Sequence, residues 1–373
     1  MTDRQRIYLS PPYQSGREAE YLQRVLQSNW LAPVGEYLDK FEDKLQSLFG
    51  YPEVIAVNSG TAALHLILKY LKIGEGDKVL VSDLTFIGGV NPIVYVGAQP
   101  VFIDSELTDW NISPQLIRNY LEDHKNDLPK ALIVVHLYGL PCDIIGISAI
   151  CKEYGVILIE DCAEAIGTQV GNQYVGSFGD FAFLSFNGNK TITTSGGGAI
   201  IAASAEEKKN FIYLATQAKS DQAYYHHEEI GFNYRLSNLL AALGLAQLDN
   251  LDYRLESKKR IFSNYSRLLS TSGFGFVEET SGNTPSYWLT CATVPAHIDP
   301  IHLAEVLNKQ FNIEARAVWK PMHMQPVFRH TECLLVGNTK QIFQNGICLP
   351  SGVGMTEEEQ DYVIESIVEI ISR

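Results

Sequence analysis

A lysine placed just after a strongly apolar run is the residue of this sequence best suited to covalent chemistry. The run 181–186 has the apolar, aromatic-rich pattern of a buried strand, and Lys190 follows it, ahead of the small residues of 191–199. An amine held close to a protein core loses hydration, which lowers its pKa and makes it nucleophilic near neutral pH. Lys190 is therefore a candidate for forming a covalent bond with an aldehyde.

A carboxylate stands at the end of another predicted strand. The apolar run 156–160 leads directly into Asp161. Pyridoxal phosphate (PLP) needs both groups, because a lysine binds its aldehyde and a carboxylate pairs with its pyridinium nitrogen. Each residue alone has a simpler interpretation, since a lysine after a strand is usually solvated and Asp161 could cap a helix that starts at Cys162. Together they predict PLP as the cofactor, with Lys190 and Asp161 as catalytic residues.

Two further segments suit a flat, phosphorylated cofactor. Residues 58–64 have the pattern of a strand that turns into a helix. There Gly60 permits a tight turn, and the Thr61 hydroxyl and the first helical N–H groups would face an anion. Phe86 follows the predicted strand 78–82 and could stack on an aromatic ring. A phosphate turn, an aromatic residue, an aspartate and a lysine, in this order, match PLP enzymes of fold type I.

The composition narrows the possible partners. The 373 residues carry a formal net charge of −14 without a basic run, so neither a nucleic-acid surface nor a cationic membrane helix is expected. The N-terminal residues lead into no apolar signal segment and no stretch could span a bilayer, which predicts a cytoplasmic protein. The six cysteines lack a C-x-x-C pattern and are expected to be reduced core thiols. The nine histidines lack metal-ligand spacing, so no metal is expected.

Short apolar runs alternate with helical stretches from about residue 52 to residue 200, a pattern typical of βαβ units. The predicted strands are 54–57, 78–82, 100–103, 131–136, 156–160, 181–186, 199–202 and, later, 287–293. The predicted helices include 18–27, 37–49, 61–71, 114–122, 147–154, one capped by Ser237, 254–269, and segments near 301–310 and 356–371.

This alternation predicts an α/β protein with a mostly parallel sheet, and the order of the four site features adds a likeness to fold-type I PLP transferases such as aspartate aminotransferase. A mostly parallel seven-stranded sheet would lie in a large PLP-binding domain over residues 1–250. A smaller α+β C-terminal domain would span residues 251–373 and help to close the site.

Several stretches of the sequence match motifs of one enzyme family. They are Leu9–Pro12, Ser28–Pro33, Asn58–Leu64, Asp161–Glu164, Ser185–Lys190 and Gly231–Asn238. On these stretches, and over nearly its whole length, the chain resembles the DegT/StrS-type family of PLP-dependent nucleotide-sugar aminotransferases.

The resemblance implies a role for each matched cofactor residue. Lys190 would bind PLP covalently, Asp161 would pair with the pyridinium nitrogen, and Glu164 would lie near the phenolic oxygen, where many relatives carry Gln or His. Asn233 would reach the phosphate from the neighbouring subunit, which predicts a homodimer with shared active sites. The remaining implied contacts to the phosphate and the ring are Gly60, Thr61, Ala62, Ser185 and Phe86.

Two segments narrow the substrate. Residues 319–326 and 225–231 resemble those of enzymes that make UDP-N-acetylbacillosamine precursors and legionaminic-type sugars. The resemblance predicts transfer of an amino group from L-glutamate to carbon 4 of a UDP-linked 2-acetamido-4-keto-6-deoxyhexose, for surface glycan synthesis. Relatives that aminate carbon 3 tend to carry a Tyr-Pro-x-Pro-x-His pattern where this chain has Trp319-Lys320-Pro321. Ala317-Val318 departs from the Pro-Leu that the family pattern predicts.

Nine residues are candidates for contact with the substrate: Trp30, Asn187, Tyr225, His227, Arg235, Arg316, Trp319, Lys320 and His323. Arg235, Arg316 and Lys320 are the candidate cations for the diphosphate, although each could equally be a surface salt-bridge partner. Trp319 could instead pack a domain interface, with His323 as its cap.

Three alternative functions stay open. The nearest is a 3-aminotransferase acting on a 3-keto nucleotide sugar. A PLP-dependent sugar dehydratase is a second, but such relatives replace the lysine with histidine, so Lys190 speaks against it. The third is a catalytically silent regulatory or binding protein on the same scaffold.

Overall fold

The computed structural model describes residues 4–277 and 282–372. Its helices are α1 (Glu18–Ser28), α2 (Glu36–Phe49), α3 (Gly60–Tyr70), α4 (Asn91–Tyr95), α5 (Pro114–Asp123), α6 (Ile144–Tyr154), α7 (Ala205–Ala215), α8 (Asn238–Leu248), α9 (Leu251–Leu269), α10 (Pro300–Gln310), α11 (Asn338–Asn345) and α12 (Glu357–Ile371). Its strands are β1 (Glu53–Val57), β2 (Lys78–Ser82), β3 (Gln99–Ile103), β4 (Ala131–Val135), β5 (Ile157–Asp161), β6 (Gln169–Val170), β7 (Gln173–Tyr174), β8 (Phe181–Ser185), β9 (Gly198–Ala202), β10 (Gly275–Phe276), β11 (Asn283–Thr284), β12 (Thr290–Thr293), β13 (Arg316–Ala317), β14 (Cys333–Leu334) and β15 (Gly346–Leu349).

A mostly parallel sheet forms the centre of the molecule and confirms the predicted fold class. Within the described ranges its strand order is β1-β9-β8-β5-β4-β2-β3-β14. From β8 to β14 in this order neighbouring strands are parallel, whereas β9 is antiparallel to both β8 and β1. The seven predicted strands are all present. The prediction missed the eighth strand of this sheet, β14, because two residues are too few to show a strand's alternation of apolar and polar side chains.

Helices cover both faces of this sheet, as strands buried on both faces require. In β4, Ala131 and Ile133 pack into one apolar core, and Leu132 and Val134 pack into another on the opposite face. Helices α3 and α7 contribute to the first core, and α5 and α6 contribute to the second. The arrangement leaves the ends of the parallel strands as the place where polar side chains can gather.

The C-terminal part of the chain forms an antiparallel sheet with the order β10-β12-β15-β13 in the described residues. Helices α9, α10 and α12 share an apolar core with it. The predicted strand 287–293 was too long, because Tyr287 has a φ of 48° that interrupts the extended conformation, and β12 starts at Thr290. The domain boundary after residue 250 stays a prediction.

The carboxyl ends of the parallel strands meet at one edge of the sheet, where open α/β sheets place their sites. Asp161 is the last residue of β5, and Tyr138 follows β4. The neighbouring Glu160 fixes the end of β5, because its carboxylate accepts the N–H groups of Phe178 and Gly179 at 2.7 Å. The strand therefore presents Asp161 at a fixed position.

A buried carboxylate after β3, that of Asp104, holds the segment before α11 against the sheet. Its oxygens accept the N–H groups of Val336 and Gly337 at 2.7 Å and of Thr339 at 2.8 Å. Burial opposes ionisation of Asp104, but these hydrogen bonds outweigh it and keep its pKa below the ordinary value. The ionised carboxylate therefore anchors the C-terminal segment.

We expect Asp104→Ala to lower the free energy of unfolding by about 2 kcal/mol at neutral pH, because several N–H groups lose a charged acceptor. Since the folded-state pKa is depressed, the stabilisation is present above the unfolded pKa of about 3.9 and is lost as pH falls through the lower folded-state value. Urea titrations at several pH values measure this difference. Asp127→Ala, at a carboxylate that is 80% exposed, is the matched control, and an equal loss there would contradict the prediction.

Candidate active site

A cavity of about 370 Å³ opens at the carboxyl edge of the central sheet. It brings together the segments that the sequence analysis predicted to bind PLP. Its walls are formed by Asn58, Ser59, Gly60, Thr61, Phe86, Gly88, Gly89, Asp161, Ala163, Glu164, Phe183, Ser185, Asn187, Asn189, Lys190, Gly196, Gly197, Trp288 and Trp319.

Lys190 lies in a turn beyond β8, where its N–H donates to the carbonyl of Asn187 at 3.1 Å. Its side chain is only 11% exposed. The amine Nζ lies 3.8 Å from the centre of the Trp288 ring and 3.6 Å from Glu164 Oε1. Burial lowers the pKa of Lys190, while the negative charges of Glu164 and Asp161 act in the opposite direction. The result is a buried amine suited to nucleophilic attack and to proton transfer.

The Asp161 carboxylate is almost fully buried beneath Gly89. Its Oδ1 accepts the N–H of Ala163 at 3.0 Å, and Oδ2 lies where a Cβ on Gly89 would come within 2.8 Å of it. Burial raises the pKa of Asp161 to about 6. A cation placed next to it, such as a pyridinium nitrogen, would favour its ionised form and receive its charge in return.

Glu164 lines the same cavity and is 3% exposed. Its Oε2 accepts the N–H of Tyr138 at 2.6 Å, and its Oε1 faces Lys190. Burial raises the pKa of Glu164 to about 7, against the opposing effect of Lys190. Glu164 can therefore gain or lose a proton near neutral pH.

The start of α3 forms a cradle suited to a phosphate. Ser59 caps this helix by accepting the N–H of Ala62 at 3.0 Å, and Ala62 itself does not line the cavity. A Cβ on Gly60 would come within 3.1 Å of Ser185, and a Cβ on Gly198 would come within 2.5 Å of the Gly60 nitrogen. This close packing puts the positive end of the helix dipole next to the Ser185 hydroxyl.

Three aromatic side chains line the cavity: Phe86, Trp288 and Trp319. Phe86 is 55% exposed, and its ring centre lies 5.6 Å from that of Trp319. Tyr138 lies behind, 5.0 Å from Trp319 and 6.4 Å from Trp288 between ring centres. Of the predicted substrate contacts, Trp319 and Asn187 line this cavity.

Three predicted substrate contacts have other partners in this chain. Arg235 is buried in an ion pair with Glu42 and donates to the carbonyl of Ala56, so its positive charge is paired within the chain. His323 does not line the cavity, and its N–H and Nδ1 lie 2.8 and 2.7 Å from the carboxylate of Asp83. Arg316 pairs with Glu314 at a separate cavity.

The other predicted contacts lie outside the cavity wall, on exposed surface: Trp30, Tyr225, His227, Lys320 and Asn233. The Tyr225 and His227 rings stack on each other 6.5 Å apart. The Asn233 carbonyl accepts a hydrogen bond from Asn58, which does line the cavity.

The sequence analysis did not single out Trp288, which lines the cavity, or Tyr138, which bonds to Glu164 and Trp319 from outside the lining. Tyr138 follows the carboxyl end of β4, so the rule that site residues follow parallel strands could have found it. Trp288 comes from the C-terminal part of the chain, and nothing in its local pattern relates it to Lys190.

These residues fit PLP. A buried lysine, a buried carboxylate with an oxygen turned to the cavity, a helix N-terminus packed too closely for larger side chains, and an exposed aromatic ring match the four chemical parts of that cofactor. Lys190 would hold its aldehyde carbon, Asp161 its ring nitrogen, and the start of α3 its phosphate. The fold and the site together define a PLP-dependent transferase of fold type I.

Comparison with known proteins identifies the family. Residues 12–368 match the DegT/DnrJ/EryC1/StrS aminotransferase family, and the chain belongs to it as a PLP-dependent sugar aminotransferase. It is 43% identical over 372 residues to EpsN of Bacillus subtilis (strain 168), covering 98% of this chain and 96% of that protein. It is 36% identical to the GDP-perosamine synthase of Escherichia coli O157:H7, covering 97% and 98% of the two chains.

Solved structures agree with this assignment. A DegT DnrJ EryC1 StrS aminotransferase from Brucella abortus superposes with a TM-score of 0.88 at 27% identity, over 96% of each chain. Helicobacter pylori PseC superposes with a TM-score of 0.91 at 22% identity, over 99% of this chain and 100% of PseC, which supports the fold alone.

We expect Asp161→Asn to lower kcat by about a hundredfold or more, because the amide keeps the shape of the carboxylate but not its charge. Steady-state kinetics with a functional amino donor and ketosugar measure the effect. Asp143→Asn is the matched control, since Asp143 is an exposed helix cap at α6 and should leave kcat unchanged. A near-normal kcat in the Asp161 variant would exclude the assigned pairing with the cofactor nitrogen.

Proposed function

We propose that this enzyme moves an amino group from L-glutamate to carbon 4 of a UDP-linked 2-acetamido-4-keto-6-deoxyhexose, giving a UDP-4-amino sugar for surface glycan synthesis. The observation that carries the proposal is the position of Trp319, whose ring walls the cavity that contains Lys190. This residue belongs to the segment that resembles the 4-aminating enzymes.

The Trp319 wall is held in place from two sides. The backbone N–H of Trp319 donates to the hydroxyl of the buried Tyr138 at 3.1 Å. The following turn is anchored by Asp83, which accepts the His323 N–H and lies 2.7 Å from His323 Nδ1. A rigid wall of this kind can fix which sugar carbon comes near Lys190, and a displacement of about 1 Å can cost roughly a hundredfold in rate.

Bound PLP supplies an electron sink and a carrier for the amino group. The residues of the chain supply position and proton transfer. Lys190 Nζ, when it is not bonded to the cofactor, can take up and release a proton at the reacting carbon, because burial lowers its pKa. Asp161 would keep a positive charge on the ring nitrogen of bound PLP, and Trp288 and Trp319 form part of the cavity wall around Lys190.

The relatives define the substrates that must be compared. GDP-perosamine synthases are similar over nearly the whole chain, so guanosine-linked ketosugars are natural competitors of uridine-linked ones. A UDP-N-acetyl-3-dehydro-alpha-D-glucosamine 3-aminotransferase of Acidithiobacillus ferrooxidans is 37% identical over 61% of this chain. Amination of carbon 3 is therefore the second candidate function.

We expect the UDP-linked 4-keto substrate to exceed the matched 3-keto and GDP-linked substrates in kcat/KM, each by about a hundredfold. Initial rates with L-glutamate and each purified ketosugar, followed by NMR of the aminated product, give both the preference and the carbon that receives nitrogen. A carbon-3 amine or a preferred GDP-linked substrate would refute the substrate assignment. Absence of turnover with every ketosugar would refute the amination itself.

We further propose that the enzyme works in the cytoplasm as a homodimer in which Asn233 contacts the cofactor phosphate of the neighbouring subunit. Exposed apolar side chains support the burial of this surface by a second subunit. Trp30 is 54% exposed, and Tyr225 and Ile230 are each 80% exposed. The unpaired thiols of the described residues suit a reducing compartment. No helix in the described part of the chain is both long and apolar enough to cross a membrane.

Mixing inactive Lys190→Ala subunits with inactive Asn233→Ala subunits should restore activity, because a mixed dimer contains one intact site. Random exchange predicts up to about a quarter of the original activity, since half of the dimers are mixed and one of their two sites works. The control mixture, Lys190→Ala with Asp161→Asn, should stay inactive because both residues act in the same subunit. A fully active monomer in sedimentation would contradict the shared site.

A further inference from the structure

We infer that Trp288 receives the ammonium group of Lys190 whenever this lysine is not bonded to the cofactor, and that its ring sets how readily the amine gives up a proton. This role holds whichever amino donor and sugar the enzyme uses. Trp288 is thus a positioning residue for Lys190, contributed by the C-terminal part of the chain.

The contact itself has the geometry of a cation–π interaction. Lys190 Nζ lies 3.8 Å from the ring centre of Trp288, well within the range of about 6 Å over which such pairs attract. The Trp288 side chain is 3% exposed and that of Lys190 is 11% exposed, so water screens the attraction little. Tryptophan has the most effective ring for this purpose, and desolvation strengthens the interaction.

Hydrogen bonds of its indole ring and of its backbone carbonyl hold Trp288 in a fixed position. Its indole Nε1 donates to the carbonyl of Asn189 at 2.7 Å, so the ring is fastened to the residue that precedes Lys190. Its own carbonyl accepts a hydrogen bond of 2.7 Å from Lys258 Nζ on α9. Lys258 is 1% exposed and also donates to the carbonyl of Ser351 at 3.0 Å.

Two carboxylates also interact with the Lys190 amine, but neither of them takes the place of the cation–π contact with the Trp288 ring. Glu164 Oε1 lies 3.6 Å from Lys190 Nζ, longer than the 2.7–2.9 Å usual for a charge-assisted hydrogen bond, and its Oε2 is occupied by the Tyr138 N–H. Asp161 acts from further away and has the cofactor nitrogen as its partner. The ring face is therefore the surface against which the free ammonium packs.

The functional consequence concerns a lysine that must alternate between two states. While the cofactor carries the amino group, no bond joins it to Lys190, and a buried ammonium without support would shed its proton too easily. The ring of Trp288 favours the protonated form, and burial favours the neutral one. Their balance lets Lys190 hold a proton and still release it to a nearby carbon.

The protonation of Lys190 can be measured directly in enzyme loaded with pyridoxamine phosphate, where this lysine is unbonded. Competitive acetylation with acetic anhydride over a range of pH, with mass spectrometry of the Lys190 peptide and exposed Lys125 as the internal reference, gives a midpoint equal to the pKa of the amine. We expect Trp288→Leu to lower this midpoint by about one pH unit, the equivalent of a desolvated cation–π contact.

Two further variants separate the ring face from other effects. Trp288→Phe keeps a smaller aromatic face without the indole N–H, so its midpoint should fall by less than that of Trp288→Leu. Trp319→Leu removes the neighbouring ring, 6.3 Å away between centres, and should leave the midpoint unchanged. An unshifted midpoint in Trp288→Leu, an equal shift in Trp288→Phe, or an equal shift in Trp319→Leu would each overturn the inference.

Discussion

The burial of three ionisable groups in one cavity is the constraint that the surrounding structure has to satisfy. Asp161, Glu164 and Lys190 each leave water, and an unpaired ion in a protein interior costs several kcal/mol. Burial shifts each pKa toward the neutral form, to about 6 for Asp161 and about 7 for Glu164, and downward for Lys190. The chain offsets this cost with backbone N–H groups on both carboxylates and an aromatic face on the amine. The same perturbation makes the groups reactive.

The C-terminal part of the chain shapes the site through contacts with backbone carbonyls. Arg254 and Lys258, one helical turn apart on α9, are both buried. Arg254 donates to the carbonyl of Thr191, directly after Lys190, and Lys258 donates to that of Trp288. Two buried basic side chains thus fix the segments that contain Thr191 and Trp288, on either side of the reactive amine. Because carbonyls accept these bonds whatever the side chain, the sequences of those segments carry no sign of the partnership.

The predicted site residues that the structure brings into one cavity are those whose position follows from strand direction. Asp161, Lys190 and the start of α3 each come at the end of a readable strand, and parallel strands bring such ends together. Arg235 was a candidate for the substrate only because it is a cation, and its pairing with Glu42 joins residues distant in the sequence. Helix α7 had a signal that was not used, since Ser204 and Glu207 form a capping box at its start.

In a protein with a net charge of −14, the start of α3 would bind the phosphate of the cofactor through neutral donors. The start of α3 and the Ser185 hydroxyl supply N–H and O–H groups and the positive end of a helix dipole. Among the described residues that line the cavity, Lys190 is the one basic side chain. An arginine on the phosphate would have repelled the Lys190 ammonium and lowered its pKa further. Without a second basic side chain in this lining, the charges that act on Lys190 are those of Glu164 and Asp161, and the ring of Trp288 lies beside its amine.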